Sequence, residues 1–239
     1  MKIFAHRGYS AKYPENTLAA FQAAIDLQVD GIELDVHVSK DNQLVVIHDE
    51  RVDRTTDGTG FVKDYTVEEL KALDAGSWFS PLFAAQKIPT LAEVFELVKG
   101  TAIIVNVELK SDIFPYPTMV EQVNAFIKYY ELEKQVIISS FNHEALQQFK
   151  EINSLVEIAP LFQDIIVNLT AYIKSLHTNS AHVSGYVLQR SPALQALKNG
   201  QLIRVYTINE VEHMYLAKQV GVEAIFTDEV ERAIQFNKA

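Results

Sequence analysis

The chain has no cysteine among its 239 residues, which excludes disulfides and thiolate metal ligands and is consistent with a reducing, cytoplasmic setting. No stretch approaches the ~18 consecutive apolar residues that a bilayer-spanning helix requires. The opening Met1-Lys2-Ile3-Phe4-Ala5-His6 turns polar too early to be the apolar region of a secretory leader. Positive charge is scarce: 21 Lys and Arg stand against 31 Asp and Glu, a formal net charge of −10. Nucleic acid is therefore disfavoured as a partner, because phosphate-backbone binding needs a basic face. An anionic small molecule could bind only where local positive charge or a metal overrides the global field.

What is present is an ordinary globular mixture, 48% hydrophobic and 22% charged, able to bury a sizeable core. Short apolar runs alternate with amphipathic helical patterns along the whole chain. Eight runs read as strands: Lys2–Ala5, Gly31–Val38, Ala102–Leu109, Gln135–Ser139, Val156–Pro160, Val183–Leu188, Leu202–Thr207 and Ala224–Thr227. Helical patterns between them include Thr17–Leu27, Leu91–Val98, Thr118–Tyr130, His143–Ile152, Ser191–Lys198 and Glu210–Gln219. Near-continuous apolar strands separated by helices imply a parallel sheet, and eight units in this length suit a closed (β/α)8 TIM barrel. One unit departs from the rhythm. After Val38 a polar turn leads into Leu44-Val45-Val46-Ile47, a hairpin pattern, and a loop-rich insertion follows at about 49–87. The chain thus reads as one barrel domain over 1–239.

In such a barrel the reactive groups sit at the C-terminal ends of the strands. The first strand ends in His6-Arg7-Gly8, the second carries Glu33 and Asp35, and the third carries Glu108 and Lys110. Residues two apart on a strand share a face, so these side chains would project as pairs into one mouth. With Asp41 and Asn42 as the two turn residues of the hairpin, His48 would lie directly opposite Asp35 and join them. Three carboxylates against Arg7 and Lys110 leave this pocket with one net negative charge. A divalent cation reverses the sign and matches a singly charged phosphodiester. Oxygen ligands suit Mg²⁺ or Ca²⁺ rather than Zn²⁺. His6 and His48 would then supply an acid and a base near neutral pH.

Eight motifs occur in a consistent order: His6-Arg7-Gly8, Pro14-Glu15-Asn16-Thr17, Glu33-Leu34-Asp35-Val36, Val46-Ile47-His48-Asp49, Arg54-Thr55-Thr56, Ile88-Pro89-Thr90-Leu91, Glu108-Leu109-Lys110 and Thr227-Asp228. Through them the chain resembles the glycerophosphodiester phosphodiesterase family from about Lys2 to Asp228. The resemblance implies a TIM barrel with a small insertion after His48. It also implies hydrolysis of small-molecule glycerophosphodiesters to sn-glycerol 3-phosphate and an alcohol. It assigns Glu33, Asp35 and Glu108 to one divalent cation, His6 and His48 to catalysis, and Arg7 and Lys110 to the phosphate. Tyr206 stands where the family often has Trp, which bears on the glycerol pocket, and Glu229-Val230 stands where an aromatic and a proline are usual. Two other readings use the same residues: a lysophospholipase D-like activity, which predicts an apolar patch beside the mouth, and a non-catalytic binding barrel.

The remaining histidines have plainer readings. His143 follows a helix-capping Asn142, His177 and His213 lie in polar surroundings, His182 precedes a strand, and His37 flanks the carboxylates. Asp57-Gly58-Thr59-Gly60 lacks the Lys-Ser/Thr of a phosphate-binding loop and reads as a turn. Trp78, Phe79, Phe83 and Phe114-Pro115-Tyr116-Pro117 are aromatic segments suited to packing or to the entrance wall.

Overall fold

The computed structural model describes residues 1–238. Nine strands form: β1 (Lys2–Ala5), β2 (Gly31–Val38), β3 (Leu44–Val46), β4 (Ile104–Leu109), β5 (Val136–Ser140), β6 (Glu157–Phe162), β7 (Ser180–Ser184), β8 (Leu202–Tyr206) and β9 (Ala224–Thr227). Eight of them pair in parallel in the order β1-β9-β8-β7-β6-β5-β4-β2, and pairing of β1 with β2 closes the barrel. The (β/α)8 architecture implied by the alternating pattern is therefore present. Helices α1 (Leu18–Asp26), α3 (Leu91–Val98), α4 (Met119–Tyr130), α5 (His143–Ile152), α6 (Leu169–Ser175), α7 (Ser191–Lys198), α8 (Val211–Val220) and α9 (Val230–Lys238) wrap it, while α2 (Val67–Ala72) lies in the insertion.

Local chemistry sets the helix starts. Thr17 accepts a hydrogen bond from the Ala20 amide at 3.2 Å and so begins α1 just beyond the loop that follows β1. Thr90 and Glu93 form a reciprocal capping box that begins α3. Two layers of core then follow from strand alternation. Outward residues such as Ile32, Leu34 and Val36 pack under the helices with Leu91, Val94 and Phe95. The barrel axis is filled by Phe4, Ile137, Ala159, Ala224 and Phe226, with the Phe4 and Phe226 rings 5.2 Å apart. Gly31 is required by this plug, since a Cβ there would lie 2.5 Å from the Phe4 ring.

Below the mouth, Arg204 is 2% exposed and bridges Glu157 at 2.7 Å and Glu223 at 2.6 Å, with His182 Nε2 at 3.2 Å. Burial and the adjacent guanidinium push the His182 pKa well down, so it is a neutral interior side chain. The segment between β3 and α3 closes over a small core of its own, built from Val45, Ile47, Val52, Val62, Leu70, Ala75 and Ile88.

Two local expectations are corrected. The sixth barrel strand, β7, is Ser180–Ser184, not Val183–Leu188. Its inward positions Ser180, His182 and Ser184 are polar, which hid it beside the more apolar run that follows. In the hairpin, Val36 pairs Val46, His37 pairs Val45 and Val38 pairs Leu44, one residue away from the register expected for a two-residue turn. Ser39 N donates to Gln43 O at 2.9 Å, leaving a three-residue loop whose last member, Asn42, has φ 61°. Asp35 consequently faces Ile47, whose amide donates to the Asp35 carbonyl at 3.0 Å, and His48 lies past the end of the ladder.

Candidate active site

The acidic pairs converge because of register. Asp35 on β2 is aligned with Glu108 on β4, and Glu33 lies two residues earlier on the same face as Asp35. Among the described residues, Glu33, Asp35 and Glu108 are the one group of three metal-capable side chains whose ligand atoms all lie within 4.8 Å of one another. Glu33 Oε2 accepts the Arg7 amide at 2.8 Å, and Asp35 Oδ2 accepts from Asn16 Nδ2 at 2.9 Å. Lys110 Nζ donates to Glu108 Oε1 at 3.0 Å. Glu33 Oε1 is buried without a hydrogen-bond partner, an arrangement that ordinarily needs a ligand or an ion to explain it.

The electrostatics agree. Burial, then the charges of Asp35 and Glu108, push the Glu33 pKa well above the ordinary carboxylate range. Burial and Asp35 also raise Glu108. Burial opposes ionisation of Asp35 too, but His48, Arg7, Lys110 and the Asn16 hydrogen bond outweigh it and hold that pKa low. These three carboxylates could hold a hard cation, whose charge would offset their mutual repulsion.

Both histidines stand at this mouth. His6 follows β1 directly, with Nε2 4.0 Å from Glu33 Oε2 and Nδ1 2.7 Å from Asp228 Oδ1. Asp228 is fixed in turn by Ser10 Oγ at 2.9 Å and Asn209 Nδ2 at 2.7 Å. Burial would raise the Asp228 pKa, but His6 and these donors bring it to about 2. His48 Nδ1 is 2.6 Å from Asp49 Oδ1, and the His48 carbonyl accepts from His37 Nε2 at 3.1 Å. Each catalytic candidate thus has Nδ1 on its own carboxylate, which fixes the tautomer and leaves Nε2 for chemistry. Sequence reasoning placed both aspartates in motifs but gave them no task. Pairing Asp228 with His6 requires knowing that the chain's two ends meet, 222 residues apart, whereas Asp49 is the sequence neighbour of His48.

Arg7 has φ 58° and Gly8 φ 79°, a left-handed pair that turns the chain sharply after His6. A Cβ on Gly8 would meet the Ala20 backbone at 2.7 Å, so the motif needs glycine there. The Arg7 guanidinium donates to Glu15 Oε1 at 2.8 Å and lies 3.6 Å from Asp35. All seven candidates (His6, Arg7, Glu33, Asp35, His48, Glu108 and Lys110) are therefore gathered on one side of the barrel mouth. The register expected to bring His48 there is not the one observed; it arrives through the bend after β3.

His37 faces the same side, but it is a buried neutral ring spanning Tyr116 Oη and the His48 carbonyl. Asn106 lies deeper, donating to Ser139 Oγ at 2.9 Å. Phe83 packs on Tyr13 at 5.3 Å and Phe114 meets Phe61 edge-on at 5.4 Å, so these aromatics join the insertion to the barrel loops. Across the mouth, Tyr206 Oη donates to the Phe162 carbonyl at 3.0 Å. It borders a cleft of about 890 Å³ lined also by Gln163, Tyr186, Arg190, His213 and Leu216.

Fold and site together define a (β/α)8 barrel with a charged cluster gathered at one side of its mouth, and its relatives are hydrolases. The chain belongs to the Glycerophosphoryl diester phosphodiesterase family, whose profile it matches over residues 6–232. It is 44% identical to a glycerophosphodiester phosphodiesterase of Caldanaerobacter subterraneus, over 97% of this chain and 96% of that one. A crystallised glycerophosphodiester phosphodiesterase of Thermotoga maritima is 32% identical, with a TM-score of 0.79 over 98% of this chain and 97% of the other. An Oleispira antarctica phosphodiesterase, solved with its product sn-glycerol-3-phosphate, shares 27% identity at a TM-score of 0.90, covering 100% of this chain and 97% of the other. Among the described residues no helix is long and apolar enough to cross a membrane.

Proposed function

We propose that the protein hydrolyses glycerophosphodiesters to sn-glycerol 3-phosphate and an alcohol. The observation that carries this reading is the carboxylate triad with its unpartnered Glu33 oxygen, flanked by two histidines that each rest on a separate aspartate. Family membership and the named relatives support the substrate class.

In this reading Glu33, Asp35 and Glu108 hold one divalent cation, Mg²⁺ or Ca²⁺, and the donor set fits it: three hard oxygen ligands, buried and mutually repulsive without it. When bound, the cation supplies Lewis-acid stabilisation of charge on the phosphoryl oxygens. Arg7 and Lys110 bind the phosphate. One histidine accepts the proton of the attacking hydroxyl as the new P–O bond forms, and the other donates a proton to the alcohol oxygen as its P–O bond breaks. Asp49 and Asp228 stabilise whichever ring carries the extra proton. The attacking hydroxyl is that of water, or the substrate's own glycerol hydroxyl, in which case the alcohol leaves a cyclic phosphate that water then opens to sn-glycerol 3-phosphate with the two histidines exchanging roles.

The test is glycerol 3-phosphate release from diesters with choline, ethanolamine, glycerol and inositol head groups, in wild type and in His6→Ala and His48→Ala. Turnover by wild type, and a loss of roughly 10²-fold or more in each variant, is expected; undiminished turnover in both variants would remove the pair. The cleft bordered by Tyr206, whose walls include Leu188, Ile208 and Leu216, also gives a lysophospholipase D-like reaction somewhere to hold an acyl chain. Equal or better turnover of lysophosphatidylcholine than of glycerophosphocholine would make that the primary activity.

A further inference from the structure

His48 has a structural problem that His6 does not. His6 continues straight from a barrel strand, whereas β3 ends at Val46 and His48 sits in the irregular chain beyond it. Its ring is oriented through Asp49, itself a loop residue at the start of the insertion. What holds Asp49 is Arg54. Arg54 Nε donates to Asp49 Oδ2 at 2.7 Å and Nη2 to Asp49 Oδ1 at 3.0 Å. The other edge of the same guanidinium donates to Glu15 Oε2 at 2.7 Å and Oε1 at 2.8 Å. Glu15 Oε1 also receives Arg7 Nη1 at 2.8 Å.

We propose that Arg54 is a positioning residue, a two-sided clamp that sets the His48 ring and the Arg7 side chain in fixed relation across the mouth. The proposal rests on the roles assigned above to His48 and Arg7. A single exposed ion pair contributes little, but a guanidinium forked onto two carboxylates at once gains direction as well as energy. Lysine carries the same charge as a single point and cannot span both carboxylates in a plane. The clamp also accounts for the insertion's link to catalysis. Glu15 belongs to the loop after β1 and Arg54 to the insertion, so their fork closes the insertion onto the barrel beside the site.

Steady-state kinetics on Arg54→Ala and Arg54→Lys, with and without added guanidinium ion, test this. The melting temperature identifies any variant that fails to fold, in which case Arg54→Gln takes its place. The expected result is a kcat loss of roughly 10- to 100-fold with KM moving less than about three-fold, because a displaced catalytic group costs orientation rather than binding. Lysine should not rescue, and guanidinium should restore part of the loss in Arg54→Ala. Nuclear magnetic resonance supplies a readout independent of turnover: the His48 Nδ1 proton, protected in wild type, should broaden or exchange faster in Arg54→Ala. Full activity in Arg54→Ala, full rescue by lysine, an unchanged His48 signal, or a parallel collapse of Ca²⁺ affinity would each overturn the proposal. Wild-type inactivity on every glycerophosphodiester would instead refute the assigned reaction, and the His48 signal would still report on the clamp.

Discussion

Replacing Glu33 by Gln should stabilise the cation-free protein while destroying its response to cation. Glu33 is 3% exposed, faces Asp35 and Glu108, and has its pKa pushed well up by burial and those charges. Above an ordinary Glu pKa the unfolded chain releases this proton and the native state retains it. The native state then binds more protons, so stability falls as pH rises from the unfolded pKa toward the raised one. Each pH unit in that window costs about 1.4 kcal/mol. Gln cannot ionise, and its carbonyl oxygen can still accept the Arg7 amide. For a chain of this length about 2–4 °C accompanies each kcal/mol, so in chelator the melting point of Glu33→Gln should draw ahead of wild type by roughly 3–6 °C for each pH unit between the ordinary Glu pKa and the raised one. The gap should shrink toward zero near pH 4.5. Scanning calorimetry over that pH range, in chelator and in CaCl₂, reads all of this. Added Ca²⁺ should raise the wild-type melting temperature and leave Glu33→Gln nearly unmoved. A variant that melts with wild type at every pH, or that keeps the full Ca²⁺ response, would refute the crowded-carboxylate argument.

Other outcomes follow from the same geometry. Asp228→Asn, which weakens the partner of His6 Nδ1, should lower kcat by about 10-fold or more with a smaller change in KM, measured by glycerol 3-phosphate release. Lys110→Ala removes a buried cation beside Glu108 and should raise KM for diesters while leaving the fold intact by circular dichroism. Gly8→Ala combines φ 79° with a 2.7 Å approach to Ala20, and should destabilise by about 2 kcal/mol or more in urea unfolding.

Much of the fold was readable because parallel barrel strands are buried on both faces. β2, β4 and β9 announce themselves as apolar runs, and the inward Glu33 and Asp35 of β2 and Asn106 and Glu108 of β4 interrupt the pattern at two-residue spacing. β7 is hidden for the opposite reason, since its inward residues Ser180, His182 and Ser184 are polar. The hairpin register depended on Asn42 taking a left-handed conformation, which Asp41-Asn42 as a turn pair does not specify. Strand periodicity puts Glu33 and Asp35 on one face, and the β2–β4 register brings Glu108 to them. The supporting carboxylates are placed otherwise: Asp228 reaches His6 only because the last barrel strand closes on the first, and Glu15 reaches Arg54 only because the insertion folds back. Both contacts are long-range, one from barrel closure and one from the folded-back insertion, and neither is visible to a local pattern.

The most direct measurement is glycerol 3-phosphate release from glycerophosphocholine before chelation, after exhaustive chelation, and after Mg²⁺ or Ca²⁺ is returned. Loss of turnover on chelation and its recovery on readdition is the predicted result. Undiminished turnover in the chelated protein would contradict the account at its centre.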